Sequence, residues 1–142
     1  IFALKEYKRV RRQYFKVSNL LILVSVLFIP VTMILTRYLI KLFLPQYDND
    51  LLTALLLPVV LTYAKNVYSA PINAGYIVAT GDAGIMTVQN IISGGLNVVL
   101  SIIAVDRYGY LGVIWTTLVV QAVSLIVLQL IYIKRLKKYA QT

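Results

Sequence analysis

Four apolar stretches, each about long enough to cross a bilayer, constrain this chain more than any other feature. A spanning helix needs roughly 20 consecutive, mostly apolar residues. Ser18 to Thr36 carries no charge, and its helical pattern continues through Arg37 and Lys41 to Leu44. Leu51 to Asn73 is interrupted by Lys65 alone, while Ala83 to Val105 and Tyr110 to Ile133 are uncharged. Of the 142 residues, 60% are hydrophobic and 13% charged. Soluble domains run at roughly 45–50% apolar and about 25% charged, so this chain carries more apolar surface than a soluble core could hide. The sequence predicts an all-α polytopic membrane protein with four transmembrane helices.

Turn-forming clusters separate the stretches: Pro45 to Asp50, Ala74 to Asp82, and Asp106 to Gly109. Such Pro, Gly, Asn and Asp clusters supply special backbone angles and local hydrogen bonds. The connections are short, which makes consecutive helices antiparallel neighbours. No alternating pattern competes, which excludes a β-barrel. The predicted segments are a basic amphipathic stretch 1–17, helices 18–44, 51–73, 83–105 and 110–133, and a basic tail 134–142.

The net charge of +9 would suggest nucleic acid in a soluble chain, but its distribution excludes that partner. Six of the fourteen Lys and Arg lie in residues 1–17 and four in 134–142. Basic ends on an apolar middle indicate a cell-membrane protein with both ends cytoplasmic. The 74–82 loop is then cytoplasmic too, although it holds no Lys or Arg. Tyr38, Tyr47, Tyr108, Tyr110 and Trp115 are expected at the outer interface, and Tyr132 and Tyr139 at the inner one. In residues 1–17, Ala3, Tyr7, Val10, Tyr14 and Val17 form a helical stripe among basic residues. This reads either as an amphipathic helix on anionic membrane lipids or as a topology signal.

The chain has no His and no Cys, which removes imidazole and thiolate chemistry. Its five acids, Glu6, Asp48, Asp50, Asp82 and Asp106, lie outside the expected hydrocarbon and pair with no base. No catalytic constellation, metal site or cofactor is expected. Lys65 is the sharpest feature. A Lys at the bilayer centre costs roughly 2.5–3.5 kcal/mol on insertion scales, so it should face a bundle interior or water. Helical steps from Lys65 reach Thr62, Ser69, Asn73 and Tyr76, one polar face, with Pro58 seven residues earlier. The functional reading is a cation lining a cavity for an anionic ligand; the competing one is a Lys paired with an acid or snorkelling. Arg37 and Lys41 share a face near a helix end, where snorkelling competes more strongly. Asn90, Ser93, Asn97 and Ser101, with Gln89 beside them, form a polar stripe, as do Thr117, Gln121 and Ser124. Helix packing or cavity lining accounts for both.

Asn97-Val98-Val99-Leu100-Ser101, followed by Tyr108-Gly109-Tyr110-Leu111-Gly112 and Thr116-Thr117, resembles the polysaccharide flippases of the multidrug/oligosaccharidyl-lipid/polysaccharide exporter superfamily. Leu42-Phe43-Leu44-Pro45-Gln46-Tyr47 and Asn73-Ala74-Gly75-Tyr76 extend the resemblance over residues 18–133. It implies a larger two-bundle transporter of which these helices are the C-terminal part, packed against a preceding helical bundle. The start at Ile1 rather than Met agrees with that expectation. It also implies alternating-access export of a polyprenyl-diphosphate-linked glycan, with cavity cations on the phosphates. Lys65 and Arg37 fit that role, with Thr62, Ser69 and Asn73 completing the substrate-binding set. An organic-cation exporter of the same fold and a non-transporting membrane scaffold are the alternatives.

Overall fold

The computed structural model of the chain describes residues 4–139, with side chains from Glu6 onward. It is helical throughout, with no strand among the described residues. Helix α1 spans Leu4–Phe43, α2 Asp50–Ile72 and α3 Ala83–Tyr139. A 3₁₀ turn, Pro45–Tyr47, follows α1, and a π-helical turn, Asn73–Val78, extends α2. All three helices are long and apolar enough to cross a membrane.

Helix α3 is not a straight rod. At about 1.5 Å per residue its 57 residues would reach about 85 Å, well beyond the roughly 30 Å of bilayer hydrocarbon. Gly109 breaks it, with φ 63° and ψ −150°, a region open essentially to glycine alone. The limbs 83–108 and 110–139 then run back along each other. Asp82 meets Arg135, Gln89 bonds Ser124, and Asn97 bonds Thr117, three pairs closing on the same pivot. Near the bend, Gly112 lets the limbs touch: a Cβ there would lie 2.7 Å from the Ala104 carbonyl oxygen.

Asp106, Arg107 and Tyr108, expected in a loop, stay helical, because each fits a helix and only the reversal itself needs a positive φ. The expected end of the second helix at Asn73 is also passed. Pro71 has no N–H to offer the Val67 carbonyl, and the chain widens into π geometry just after it instead of stopping. Asn49 caps the start of α2, its side chain accepting from the Leu52 N–H at 2.8 Å. The last helix runs on to Tyr139, so residues 134–139 of the expected tail are helical.

Helix α1 packs chiefly along α2, antiparallel to it, and α2 along α3. No break separates residues 4–17 from the span that follows. Tyr7, Val10, Tyr14 and Val17 pack into the bundle, and Tyr14 is 1% exposed; Ala3 lies outside the described residues. The stripe is therefore used for internal packing. Tyr132, expected at an interface, is buried beside Tyr14 because its hydroxyl has protein partners there. Lipid chains are as apolar as leucine, so what holds such helices together is close packing and hydrogen bonds between them.

Candidate functional site

Asp50–Val78 forms a continuous run of 29 residues, and Lys65 lies at its centre. Pro58 and Val60 are buried one to two turns before it, and Ala64 is buried beside it. The lysine emerges between α2 and the two limbs of α3. Its Nζ donates to Gln121 Oε1 at 2.7 Å. Around it lies a cavity of about 350 Å³, with Ser69 from α2, Asn73 from the π-helical turn that extends it, and Asn90, Ser93 and Asn97 from the first limb. Gln121 and Ser124 complete the wall from the second limb, and no acidic residue is among those lining the cavity. One lysine ammonium offers three donors, of which Gln121 takes one.

The two polar stripes of α3 serve both purposes read from the sequence. Asn97 Oδ1 accepts from Ser101 and from Thr117, each at 3.2 Å, which fastens the limbs. Gln89 Nε2 donates to the Ser124 carbonyl oxygen lower down. The same residues Asn97, Gln89 and Ser124 face the cavity. Two acceptors in its wall, Asn73 Oδ1 and Gln89 Oε1, are buried without a donor. A buried acceptor left unsatisfied costs on the order of 1–3 kcal/mol, so donors from a hydroxyl-bearing guest would be favourable there.

Of the residues expected to bind substrate, Lys65, Ser69 and Asn73 share this cavity. Thr62 does not join them: its hydroxyl donates back to the Pro58 carbonyl at 2.9 Å, a carbonyl close to the proline's disturbance of the helix. Arg37 is placed elsewhere, exposed beside a small recess with Asp48, Leu52 and Thr53 at the α1–α2 junction.

One end of the bundle is closed by residues that sequence spacing did not connect. The Tyr14 hydroxyl donates to Gln129, and the Tyr14 ring lies edge-on to Tyr76 and Tyr132, with centroids 5.5 and 5.4 Å apart. Tyr132 donates to the Tyr76 carbonyl at 3.2 Å, and Thr80 to the same oxygen at 2.8 Å. Buried Asp82 meets Arg135 at 2.7 Å. The Tyr14–Gln129 and Asp82–Arg135 pairs join residues 115 and 53 positions apart, beyond the reach of any helical period. The chain matches no protein-family model, no characterised protein and no solved structure.

Proposed function

We propose that the chain is a four-span bundle of the cell membrane, with both ends cytoplasmic, serving a transporter that moves a polyprenyl-diphosphate-linked saccharide by alternating access. The observation carrying this reading is the Lys65 cavity, a mid-helix cation among amides and hydroxyls with no carboxylate. The two free donors of Lys65 suit phosphate oxygens. The amides and hydroxyls suit a sugar, and the unpartnered acceptors of Asn73 and Gln89 suit its hydroxyl protons. An organic cation would find a like charge there and no counter-ion. A scaffold would leave the insertion cost of Lys65 without a return. The preceding helical bundle expected from the resemblance would close the cavity's open side.

The test is complementation of a strain lacking a lipid-linked oligosaccharide flippase, with membrane levels measured alongside. Lys65→Arg should keep part of the transport, since charge matters first and shape second. Lys65→Gln should reduce it about 10- to 100-fold, the weight of a charge-assisted contact of roughly 1.5–3 kcal/mol. Lys65→Glu should be the most severe, because it repels the anion. Full transport by Lys65→Ala at normal membrane levels overturns the reading.

A further inference from the structure

The α3 hairpin divides its chemistry between two faces. One is apolar, walled by Val88, Ile92, Leu96, Val123, Val127 and Ile131. The other carries the Lys65 cavity, and Gln121 of the second limb belongs to that face. Its place is fixed from both sides. One helical turn towards the bend, Thr117 donates to Asn97 Oδ1 at 3.2 Å. One turn the other way, the Ser124 carbonyl oxygen accepts from Gln89. Gln121 therefore sits between the two hydrogen bonds that fasten the limbs, on a stretch of helix whose rotation they set. From there it reaches across to α2 and accepts from Lys65.

Chemistry decides which amide atom meets the lysine. An ammonium has only protons to give, so the oxygen of Gln121 faces Nζ, at 2.7 Å. The amide nitrogen keeps both its protons, with no acceptor among the described residues. Lys65 keeps two donors of its own, and no acid lines the cavity. A carboxylate in place of this amide would hold the ammonium more tightly, but it would also cancel the charge. The amide holds the lysine and leaves the charge in place. A lysine stem has many rotamers to lose, so an acceptor that already fixes it leaves less ordering to be done when an anion arrives. We infer that Gln121 sets the charge specificity of the cavity: its oxygen positions the Lys65 ammonium without neutralising it, and its nitrogen is a second donor to the same phosphate group, lipid-linked or free. The inference rests on the reading of the cavity as an anion site and adds the residue that keeps it one.

The experiment measures the affinity of the purified protein, in neutral detergent, for inorganic pyrophosphate by isothermal titration calorimetry, below the thermal midpoint of every variant. Gln121→Glu keeps the shape of the side chain and adds a charge. It should hold or raise the thermal midpoint, yet weaken pyrophosphate about 10- to 100-fold, as much as Lys65→Gln does. Gln121→Met removes the amide and leaves Lys65 charged, and should weaken pyrophosphate only about two- to tenfold. Parent-like binding by Gln121→Glu overturns the proposal. So does a loss in Gln121→Met as large as that in Gln121→Glu, because the side chain would then matter for structure alone. If Gln121→Glu does not fold, parent-like binding by Gln121→Met is the overturning result. Farnesyl diphosphate tells the two sources of phosphate apart: tighter binding than pyrophosphate assigns the group to a lipid carrier and equal binding to a soluble anion, and either keeps the role of Gln121. Equal affinity in the parent and in Lys65→Gln removes the anion site itself, and the transport reading with it. A loss in Lys65→Gln with none in Gln121→Glu removes the role of Gln121 alone.

Discussion

Lys65 and Arg37 are both cations in apolar helices, yet only Lys65 faces the polar cavity. The difference is depth. Arg37 lies within two turns of the end of α1, where a long side chain reaches the interface. Lys65 is at the centre of its run and has to find partners within the bundle, which Gln121 provides. That dependence is testable. Gln121→Leu leaves the ammonium without its protein acceptor and should lower the thermal midpoint, by the equivalent of about 1 kcal/mol given that Lys65 also faces an open cavity. Adding Lys65→Met should recover most of the loss, because removing both partners costs less than removing one. An unchanged midpoint in Gln121→Leu would show that the contact contributes nothing. Spacing made Lys65, Ser69 and Asn73 legible as one face because they differ by about one helical turn. It could not foresee Thr62 turning back to the Pro58 carbonyl, since a hydroxyl chooses its acceptor after the backbone has formed. Gln89 was visible only as a neighbour of the Asn90 stripe. Its bond to the Ser124 carbonyl depends on the facing limb, which no single-helix pattern contains.

At the scale of the element, α3 shows what one residue does to a helix. The turn signal at Asp106 to Gly109 was readable, but a cluster of turn residues does not say which of them will turn. Gly109 does, because its φ of 63° and ψ of −150° exclude a side chain. Gly109→Ala should destabilise the hairpin by about 1–3 kcal/mol, seen as a lowered melting point in detergent. Gly112→Leu should act by a different route, wedging the limbs apart where the Ala104 carbonyl and the Tyr108 Cβ both lie 2.7 Å from the added atom. If Gly109→Ala melts with the parent, the reversal is held by the limbs and not by the glycine. At the opposite end of the hairpin, Asp82 is buried and Arg135 half exposed, an asymmetry that sets an order among variants. Arg135→Met strands a buried carboxylate and should destabilise more than Asp82→Asn combined with Arg135→Met. Equal melting of the single and double variants would remove the pair from the account of stability.

The whole molecule places its polar chemistry on one side of a folded-back helix and its apolar chemistry on the other, and both matter only if the limbs cross the membrane in opposite directions. Positive charge argues for that arrangement. Ten of the fourteen basic residues lie in the two terminal segments, and α1 meets the last limb through Tyr14 and Gln129 and through Tyr7 and Tyr139, so those segments share one end of the bundle. The turn at 79–82 lies at the same end, tied there by Thr80 to Tyr76 and by Asp82 to Arg135. The turn has no cation of its own, and its Asp82 is neutralised by Arg135, already one of those ten. Single cysteines therefore give a sharp expectation, since the chain has none of its own. Asn49→Cys and Tyr108→Cys, at the opposite end, should react in intact cells with a thiol reagent that cannot cross the membrane. Ala79→Cys and Lys137→Cys should react only after the membrane is opened. The Ala79 position is decisive: a three-span arrangement with an unbroken α3 would separate residue 79 from residue 137 by a membrane thickness, whereas the hairpin keeps them on one side. Labelling of Ala79→Cys and Lys137→Cys from opposite sides would overturn the four-span reading, and with it the bundle that holds Lys65 in a shared cavity.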